Sequence, residues 1–420
     1  MVTALHATEA PADIPAAIRA VKAELRTQIG DYQEVFAEVE AAMRREVAEI
    51  AGLRERGEEA WPVVQFADVA ADTVPPETVA AIRRRGCAVV RGTFPRERAA
   101  AWDAELVSYL DDHDFMGRYR YLDNGEFSGL AAGKPSIYPI YWSGPQMQAR
   151  EDANMVAVRC FLNGFWQHES EGRTWFDPSR DTAYPDRIRR SAPGTTSAGL
   201  SPHTDAGSVE RWLLPAYRQV FRHVFDGNPS AHDPWDGAYR TDVHEYRSTV
   251  MCSVFRTFQG WTALSSMART EGVLNVLPIP HAMAYLLLRA LQDDVADDDL
   301  CGAANGQSLP VSVAHHGVLL PGMSPIPDVE PGDTVWWHPD AVHSVDPVTD
   351  QKGWGCVMYI PAAPYCPKNA AYAERCGRAF LAGETPDDFA PEHYEAGWAG
   401  RPGPADLSPV GRRQLGLQAW

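Results

Sequence analysis

The chain has 420 residues, a mass of 46.3 kDa and 45% hydrophobic residues, which is enough apolar material for a sizeable core and argues against disorder of the whole chain. Its formal net charge of −18 repels phosphate backbones, so we expect no nucleic-acid partner. Because no stretch approaches the ~18 apolar residues of a membrane span and the N-terminus lacks a signal-peptide pattern, we expect a cytoplasmic protein without a membrane partner.

Residues 1–60 are predicted to form an N-terminal helical extension. Ala, Glu and Arg are dense from Ile14 to Glu58, and apolar residues recur there at spacings of three and four, as on one face of a helix. Gly30 and Asp31 are expected to divide this region into two helices. Since the apolar pattern is too short for a coiled coil with a partner, we expect the extension to pack against the main domain.

Residues 61–400 are predicted to form one main domain. Its first part is expected to contain the strand WPVVQFADV, a helix over 76–85 that ends at Gly86, the strand CAVVRGTF and the helix PRERAAAWDAELVSYL. From about Val156, β-branched and aromatic residues predict mostly strands. These strands are VAVRCFLNGFW, STVMCSVFRTFQGWTALS, GVLNVLPIP, DTVWWHP and GWGCVMYIP.

Two further segments are predicted to lie outside this strand pattern. The stretch around 207–245 combines helical turns with a polar, Pro- and Gly-containing run, and we interpret it as an insertion over the mouth of the domain. From Tyr365 the chain is expected to be helical through about Ala382 and loop-rich afterwards. Residues 401–420 form the predicted C-terminal tail.

The most informative motif is SPHTDAGS, in which His203 and Asp205 lie two residues apart. In a strand, positions i and i+2 face the same side, so an imidazole and a carboxylate can approach one cation together. A second imidazole, in the downstream segment VEPGDTVWWHPDAVHSVDPV, completes the two-histidine, one-carboxylate facial triad of non-haem Fe(II) oxygenases. We expect His343 to be the third ligand, and His338 in the same segment is the competing candidate.

Several segments also resemble Fe(II)/2-oxoglutarate dioxygenases of the phytanoyl-CoA hydroxylase type. PGDTVWWHPDAVHSV is similar to the strand pair that carries their distal histidine, and EGVLNVLPIPHA is similar to a strand that precedes it. Three segments resemble in detail the YbiU-like family, a branch of these oxygenases. They are HTDAGSVERW, FRTFQGWTALS and GWGCVMYIPAAPYCPKN. The resemblance extends from about residue 15 to residue 400.

This resemblance implies both a fold and an activity. The implied fold is mainly β with flanking α-helices, built on a double-stranded β-helix of the jelly-roll, cupin-like kind. The implied activity is oxidation of a small-molecule substrate by O2, with Fe(II) held by His203, Asp205 and His343 and with 2-oxoglutarate converted to succinate and CO2.

One departure from the family concerns the group that binds the far carboxylate of 2-oxoglutarate. Related enzymes place an Arg or Lys on the last barrel strand, but the corresponding segment GWGCVMYIP has no basic residue. The alternatives are Arg256, Lys352 and Arg159. We favour Arg256, with Gln259 beside it as a hydrogen-bond donor, because a guanidinium can donate two parallel hydrogen bonds to a carboxylate.

Two functions of other classes remain open at this point. A catalytically silent, cupin-like protein could keep the same fold and bind a small acid. A zinc-dependent hydrolase could use the same three ligands without oxygen. The chemical identity of the substrate does not follow from the residues.

Overall fold

The computed structural model describes residues 9–120, 136–205, 207–248 and 252–420. Within them the chain is a mixed α and β protein in which helices hold more residues than strands, so the mainly β expectation was too strong. None of the helices in these segments combines the length and the apolar character needed to cross a bilayer.

The helices of these segments are numbered α1 to α15 in chain order and the strands β1 to β16. The helices are Ile14–Ile29, Tyr32–Glu55, Phe66–Ala71, Pro76–Arg85, Arg96–Asp112, Phe115–Arg118, Gly144–Glu151, Ala153–Asn163, Glu210–Leu213, Pro215–Val220, Arg222–Phe225, Ala282–Arg289, Val313–His316, Pro367–Ala382 and Pro409–Gln414. The strands are Val63–Gln65, Cys87–Arg91, Ile137–Tyr138, Glu169–Ser170, Arg173–Thr174, Asp177–Asp181, Ile188–Ser191, Leu200–Thr204, Gln259–Ala263, Leu274–Val276, Leu309–Pro310, Ser324–Pro325, Thr334–Trp337, His343–Val345, Gly355–Tyr359 and Pro364–Tyr365.

The larger sheet contains seven strands in the order β1-β2-β13-β9-β15-β7-β3, antiparallel except between β1 and β2. Its residues alternate between two faces, as a pleated strand requires. In β13, Val335 and Trp337 belong to one hydrophobic cluster and Trp336 to another. The same alternation separates Val357 from Met358 in β15, so both faces of this sheet are covered by apolar side chains.

The smaller sheet contains five antiparallel strands in the order β11-β8-β14-β10-β12. His343 of β14 lies opposite His203 of β8 on one side and opposite Val276 of β10 on the other. Leu274 and Val276 share a hydrophobic cluster with Trp337 of the larger sheet. The two sheets therefore face each other, and the histidines lie on adjacent strands of the smaller one.

Helices cover the opposite face of the larger sheet. Leu106 of α5 and Leu162 of α8 pack in the same cluster as Trp336. The N-terminal helices α1 and α2 pack instead with α9 to α12 in a separate cluster, which includes Leu25 and Ile50. The expectation that these two helices pack against the rest of the chain is confirmed, and Gly30, with a φ of 77°, ends the first of them as predicted.

Two strand predictions were wrong. VAVRCFLNGFW lies largely within α8, because Met155, Val158 and Leu162 recur with helical spacing on its buried face and Asp152 caps its first turn. STVMCSVFRTFQGWTALS is extended as a strand only at Gln259–Ala263, and 249–251 lie outside the described residues. In both segments the β-branched and aromatic residues reflect burial rather than strand formation.

Candidate metal centre

His203, Asp205 and His343 meet on the side of the smaller sheet that faces the larger one. His203 lies in β8, Asp205 follows the end of that strand, and His343 begins β14. One ligand atom from each side chain lies within 4.8 Å of the others. His203 Nε2 is 3.4 Å from Asp205 Oδ1, and His343 Nε2 is 3.6 Å from Asp205 Oδ2. Two imidazoles and one carboxylate can therefore approach a single cation from one side.

Backbone carbonyl groups fix which nitrogen of each imidazole carries the proton. Nδ1 of His203 lies 2.7 Å from the carbonyl oxygen of Ser201, and Nδ1 of His343 lies 3.2 Å from that of Ala341. Since a carbonyl oxygen only accepts, each Nδ1 donates and each Nε2 presents its lone pair towards Asp205. Burial, together with the nearby His203, lowers the pKa of His343 to about 4, so this imidazole is neutral at neutral pH.

Asp205 is the anionic member of the group, and its side chain is 33% exposed towards the cavity. Burial alone would raise the pKa of this carboxyl, but the two histidines and the guanidinium of Arg256 hold the pKa well below its usual range. The amide of Gln259, oriented with its nitrogen towards Asp205, donates to Oδ2 at 2.6 Å and accepts from the indole N–H of Trp337 at 3.2 Å. Gln259 therefore orients the carboxylate.

A buried ionic network holds the backbone next to Asp205. Arg211 donates to the carbonyl oxygen of Asp205 at 3.0 Å and to that of Gly207 at 3.1 Å. The same guanidinium donates to Asp340 at 3.0 Å, and the second oxygen of Asp340 lies 2.8 Å from Nη2 of Arg240. Arg211 is fully buried and Asp340 nearly so. Because removing one member would leave an uncompensated buried charge, the network fixes the loop that carries Asp205.

His338, the competing candidate for the third ligand, lies outside the group. Its Nε2 donates to the carbonyl oxygen of Pro234 at 3.0 Å, and its Nδ1 accepts from the backbone N–H of Asp340 at 3.1 Å. The ring stacks on Trp166 with the ring centroids 4.8 Å apart. Both nitrogens therefore have structural partners, and the geometry favours His343 over His338.

The three triad residues line a cavity between the sheets that holds about 1330 Å³ of space, including its open mouth. Of the basic residues considered for the co-substrate, Arg256 lines this cavity. It lies just before β9, is 7% exposed, and its Nε and Nη2 groups have no hydrogen-bond partner among the described residues. Its Nη1 lies 3.4 Å from the amide of Gln259, so the two residues are neighbours as predicted.

The structure places Lys352 and Arg159 away from the cavity lining, and these two candidates are corrected. Lys352 is an exposed residue paired with Asp350, two positions away. Arg159 lies on α8, where its buried guanidinium pairs with Asp181 at 2.6 Å. The assumption that Arg159 sits on a strand was the source of that error.

Sequence reasoning missed two arginines that line the cavity, Arg187 and Arg189. They flank Ile188, which packs in the cluster on the helix side of the larger sheet. Arg190 also points to that side, where it pairs with Asp103 at 3.1 Å. The signal was present in the segment RIRRS, since residues two apart in a strand share a face.

Comparison with known proteins supplies the family. A profile of the Gig2-like family matches residues 12–417. The chain is 52% identical over 409 residues to the Escherichia coli K12 protein YbiU, described as uncharacterised, and the match covers 97% of each chain. A solved structure from Salmonella typhimurium LT2, of a protein whose name proposes an oxidoreductase, has 52% identity, a TM-score of 0.94 and coverage of 97% and 98%. The GlcNAc Inducible Gene 2 protein of Candida albicans has 27% identity, a TM-score of 0.79 and coverage of 98% and 91%. The chain belongs to the Gig2-like family.

Proposed function

We propose that this protein is a non-haem Fe(II) and 2-oxoglutarate-dependent oxygenase that oxidises a small molecule. The observation that carries the proposal is the combination, in one cavity, of the His203, Asp205 and His343 group with the guanidinium of Arg256, whose Nε and Nη2 have no hydrogen-bond partner in the described segments. A metal site alone would also suit a hydrolase. A buried cation beside it that has no ion-pair partner among the described residues calls for an anionic co-substrate.

The strand orders support the double-stranded β-helix that such enzymes use. From β7 to β10 the chain alternates between the larger and the smaller sheet at every strand, and it does so again from β12 to β15. The four strands β13-β9-β15-β7 are neighbours in the larger sheet, and β8-β14-β10-β12 are neighbours in the smaller one. We propose that these eight strands form the barrel and that residues 1–60 and 401–420 lie outside it as an extension and a tail, with 207–245 as an insertion.

The donor atoms fit a divalent ion of the iron group. Two neutral imidazoles and one carboxylate give the site a charge of −1 before metal binds, and no thiol belongs to the group among the described residues. Because the three protein ligands lie on one side of the ion, the neighbouring coordination positions remain open for a co-substrate and oxygen. Both imidazoles are already oriented by backbone carbonyls, so little reorganisation is needed to bind the ion.

The residues around the metal also fit 2-oxoglutarate. We propose that Nε and Nη2 of Arg256 donate to its far carboxylate, which accepts such a pair of parallel hydrogen bonds. Gln259 holds Asp205, and the apolar walls of Trp261 and Trp337 limit the access of water. When bound, Fe(II) and 2-oxoglutarate would activate O2, and the co-substrate would be converted to succinate and CO2 as the substrate is oxidised.

The test measures metal-dependent binding of 2-oxoglutarate without oxygen, and then succinate release after oxygen is admitted. We expect binding that requires Fe(II) in the wild type and is lost in His343→Ala, whereas Lys352→Ala, which alters an exposed residue, behaves as the wild type. Binding without succinate release in the presence of cell metabolites would indicate the silent binding protein. Hydrolytic turnover with Zn(II) and without oxygen would indicate the hydrolase.

A further inference from the structure

A loop that follows α14 carries Asp388 and Phe389 to the wall of the cavity. The loop is closed at its base, where the backbone N–H of Thr385 donates to Nδ1 of His393 at 3.0 Å and that of His393 donates to the hydroxyl of Thr385 at 2.9 Å. Within the loop, Asp388 has a φ of 76°, a left-handed conformation that is uncommon for residues other than glycine. Backbone strain of this kind clusters at sites that bind ligands.

Asp388 has no ion-pair partner among the described residues. The backbone N–H of Ser253 donates to its Oδ2 at 2.7 Å, and the side chain of the same serine also hydrogen-bonds to the carboxyl. Burial raises the pKa of Asp388 to about 7, and the negative charges of Glu245 and Asp387 act in the same direction. A carboxylate in these surroundings is electrostatically incomplete without a cation.

The other carboxylates that line the cavity are engaged within the protein. Asp186 pairs with Arg187 at 3.0 Å. Glu271 accepts backbone N–H groups on both oxygens, at 3.0 Å and 3.4 Å. Asp205 belongs to the metal group. Within the described lining, Asp388 is therefore the carboxylate that is left to meet a charge from outside the chain.

A second hydrogen-bond acceptor lines the same cavity without a partner. Gln351 is 3% exposed, and its Nε2 donates to the carbonyl oxygen of Ser191 at 3.3 Å. Its Oε1 has no hydrogen-bond partner in the described segments. Because a buried acceptor without a donor costs free energy, Gln351 independently favours a ligand that donates hydrogen bonds.

The co-substrate of the proposed function does not supply such a donor. 2-Oxoglutarate carries a carboxylate at each end and a keto oxygen between them, so its polar groups accept hydrogen bonds. The ionised Asp388 would repel both of its ends. This holds wherever in the cavity the far carboxylate is bound, so the partner of Asp388 belongs to a different molecule.

Aromatic rings next to Asp388 reinforce the preference for a cation. Phe389 and Tyr184 both line the cavity, and their ring centroids lie 5.7 Å apart. The negative faces of such rings attract ammonium groups. A carboxylate beside aromatic walls therefore suits a protonated nitrogen on a carbon chain.

We propose that Asp388 binds a protonated nitrogen of the prime substrate, which makes the substrate class a small amine rather than an acid or a neutral lipid. This inference rests on the proposed function, because it takes the cavity between the sheets as the place where the substrate meets the metal. Gln351 offers a second acceptor to a hydroxyl or N–H group in the same cavity.

The test uses the full chain loaded with Zn(II), which occupies the site without oxygen chemistry, in the presence and absence of saturating 2-oxoglutarate. The probes are hexylamine, the neutral hexanol and the anionic hexanoate, compared by calorimetry at about pH 8, where the amine is protonated and Asp388 is ionised. We expect hexylamine to bind roughly ten- to hundredfold more tightly than hexanol, because the alcohol lacks the charged hydrogen bond. Equal affinities in both conditions, or tighter binding of hexanoate, would overturn the proposal.

Asp388→Asn should abolish the preference for the amine with the fold intact, checked by near-UV circular dichroism. Asparagine keeps an oxygen for the N–H of Ser253 and tolerates a positive φ. Asp388→Gly is the second variant, since glycine adopts this φ without strain. The matched control is Asp387→Asn, which alters an adjacent exposed carboxylate paired with Arg375 and should keep the wild-type preference.

Two further outcomes would contradict the assignment to Asp388. A preference retained in both Asp388 variants, as coordination of the amine to Zn(II) would produce, would overturn it. A preference lost in Asp186→Asn but kept in Asp388→Asn would do the same. Failure of 2-oxoglutarate to bind the Zn(II) form would count against the proposed function separately, because the preference for the amine is also measured without it.

Discussion

Replacement of Arg256 by Ala tests the co-substrate site most directly. The guanidinium is 7% exposed, and two of its N–H groups lack protein partners in the described segments, so a bound carboxylate would meet both in a poorly solvated place. Leaving a buried carboxylate without its cation costs about 3–5 kcal/mol. At about 1.4 kcal/mol per decade, the 2-oxoglutarate concentration needed for half-saturation should rise on the order of a hundredfold or more.

The assay is a titration of 2-oxoglutarate against the anaerobic Fe(II)-loaded chain, with the metal affinity measured in parallel. The metal affinity should change little, because Arg256 is not one of the three ligands. It contacts the amide of Gln259, which in turn donates to Asp205. Lys352→Ala is the matched control, because this cation is exposed and paired with Asp350. An unaltered co-substrate requirement in Arg256→Ala would refute the reasoning, and a large loss in Lys352→Ala would transfer the role to the lysine.

Three further predictions concern the metal group and the stability of the fold. His343→Ala should lose Fe(II) affinity with the fold intact, whereas His338→Ala should lower the melting temperature and keep the Fe(II) affinity. Metal titration and thermal unfolding measure these two effects. The reverse pattern would make His338 the ligand. Asp340→Asn should weaken Fe(II) binding roughly tenfold by releasing the guanidinium that holds the Asp205 backbone, and unchanged affinity in a folded variant would remove that positioning role. Burial raises the pKa of Glu395 to about 7, so between about pH 4.5 and 7 the folded state keeps a proton that the unfolded state has released. The free energy of unfolding should therefore fall by about 3 kcal/mol from this group as the pH rises over this interval. Denaturant titrations at several pH values should show a smaller dependence of this free energy on pH in Glu395→Gln.

The sequence was most informative where a short pattern and a chemical requirement coincide. His203 and Asp205 share a motif of three residues, and the downstream segment VEPGDTVWWHPDAVHSVDPV supplied His343 as the third ligand. Arg189 was missed, although its alternation with Ile188 was visible, because nothing in the sequence indicates which face of that strand borders the cavity. That information lies in the pairing of β7 with β15.

The helix that carries Arg159 shows a second reason why the sequence alone was insufficient. Its apolar and β-branched residues suit a buried strand and a buried helix equally, and the tertiary contacts of Val158 and Leu162 decide between them. The network of Arg211, Asp340 and Arg240 could not be predicted either. Its members come from three separate segments, and each residue alone looks like an ordinary surface charge.

His203 and His343 are register partners on adjacent strands although 140 positions separate them in the chain. At a synthesis rate of about 5–20 residues per second, roughly 7–28 s pass between the appearance of the first histidine and the second. During that interval the nascent chain carries only His203 and Asp205, two of the three ligands of the proposed metal site. The cation of the proposed site therefore meets its full set of ligands only after residue 343 has been synthesised.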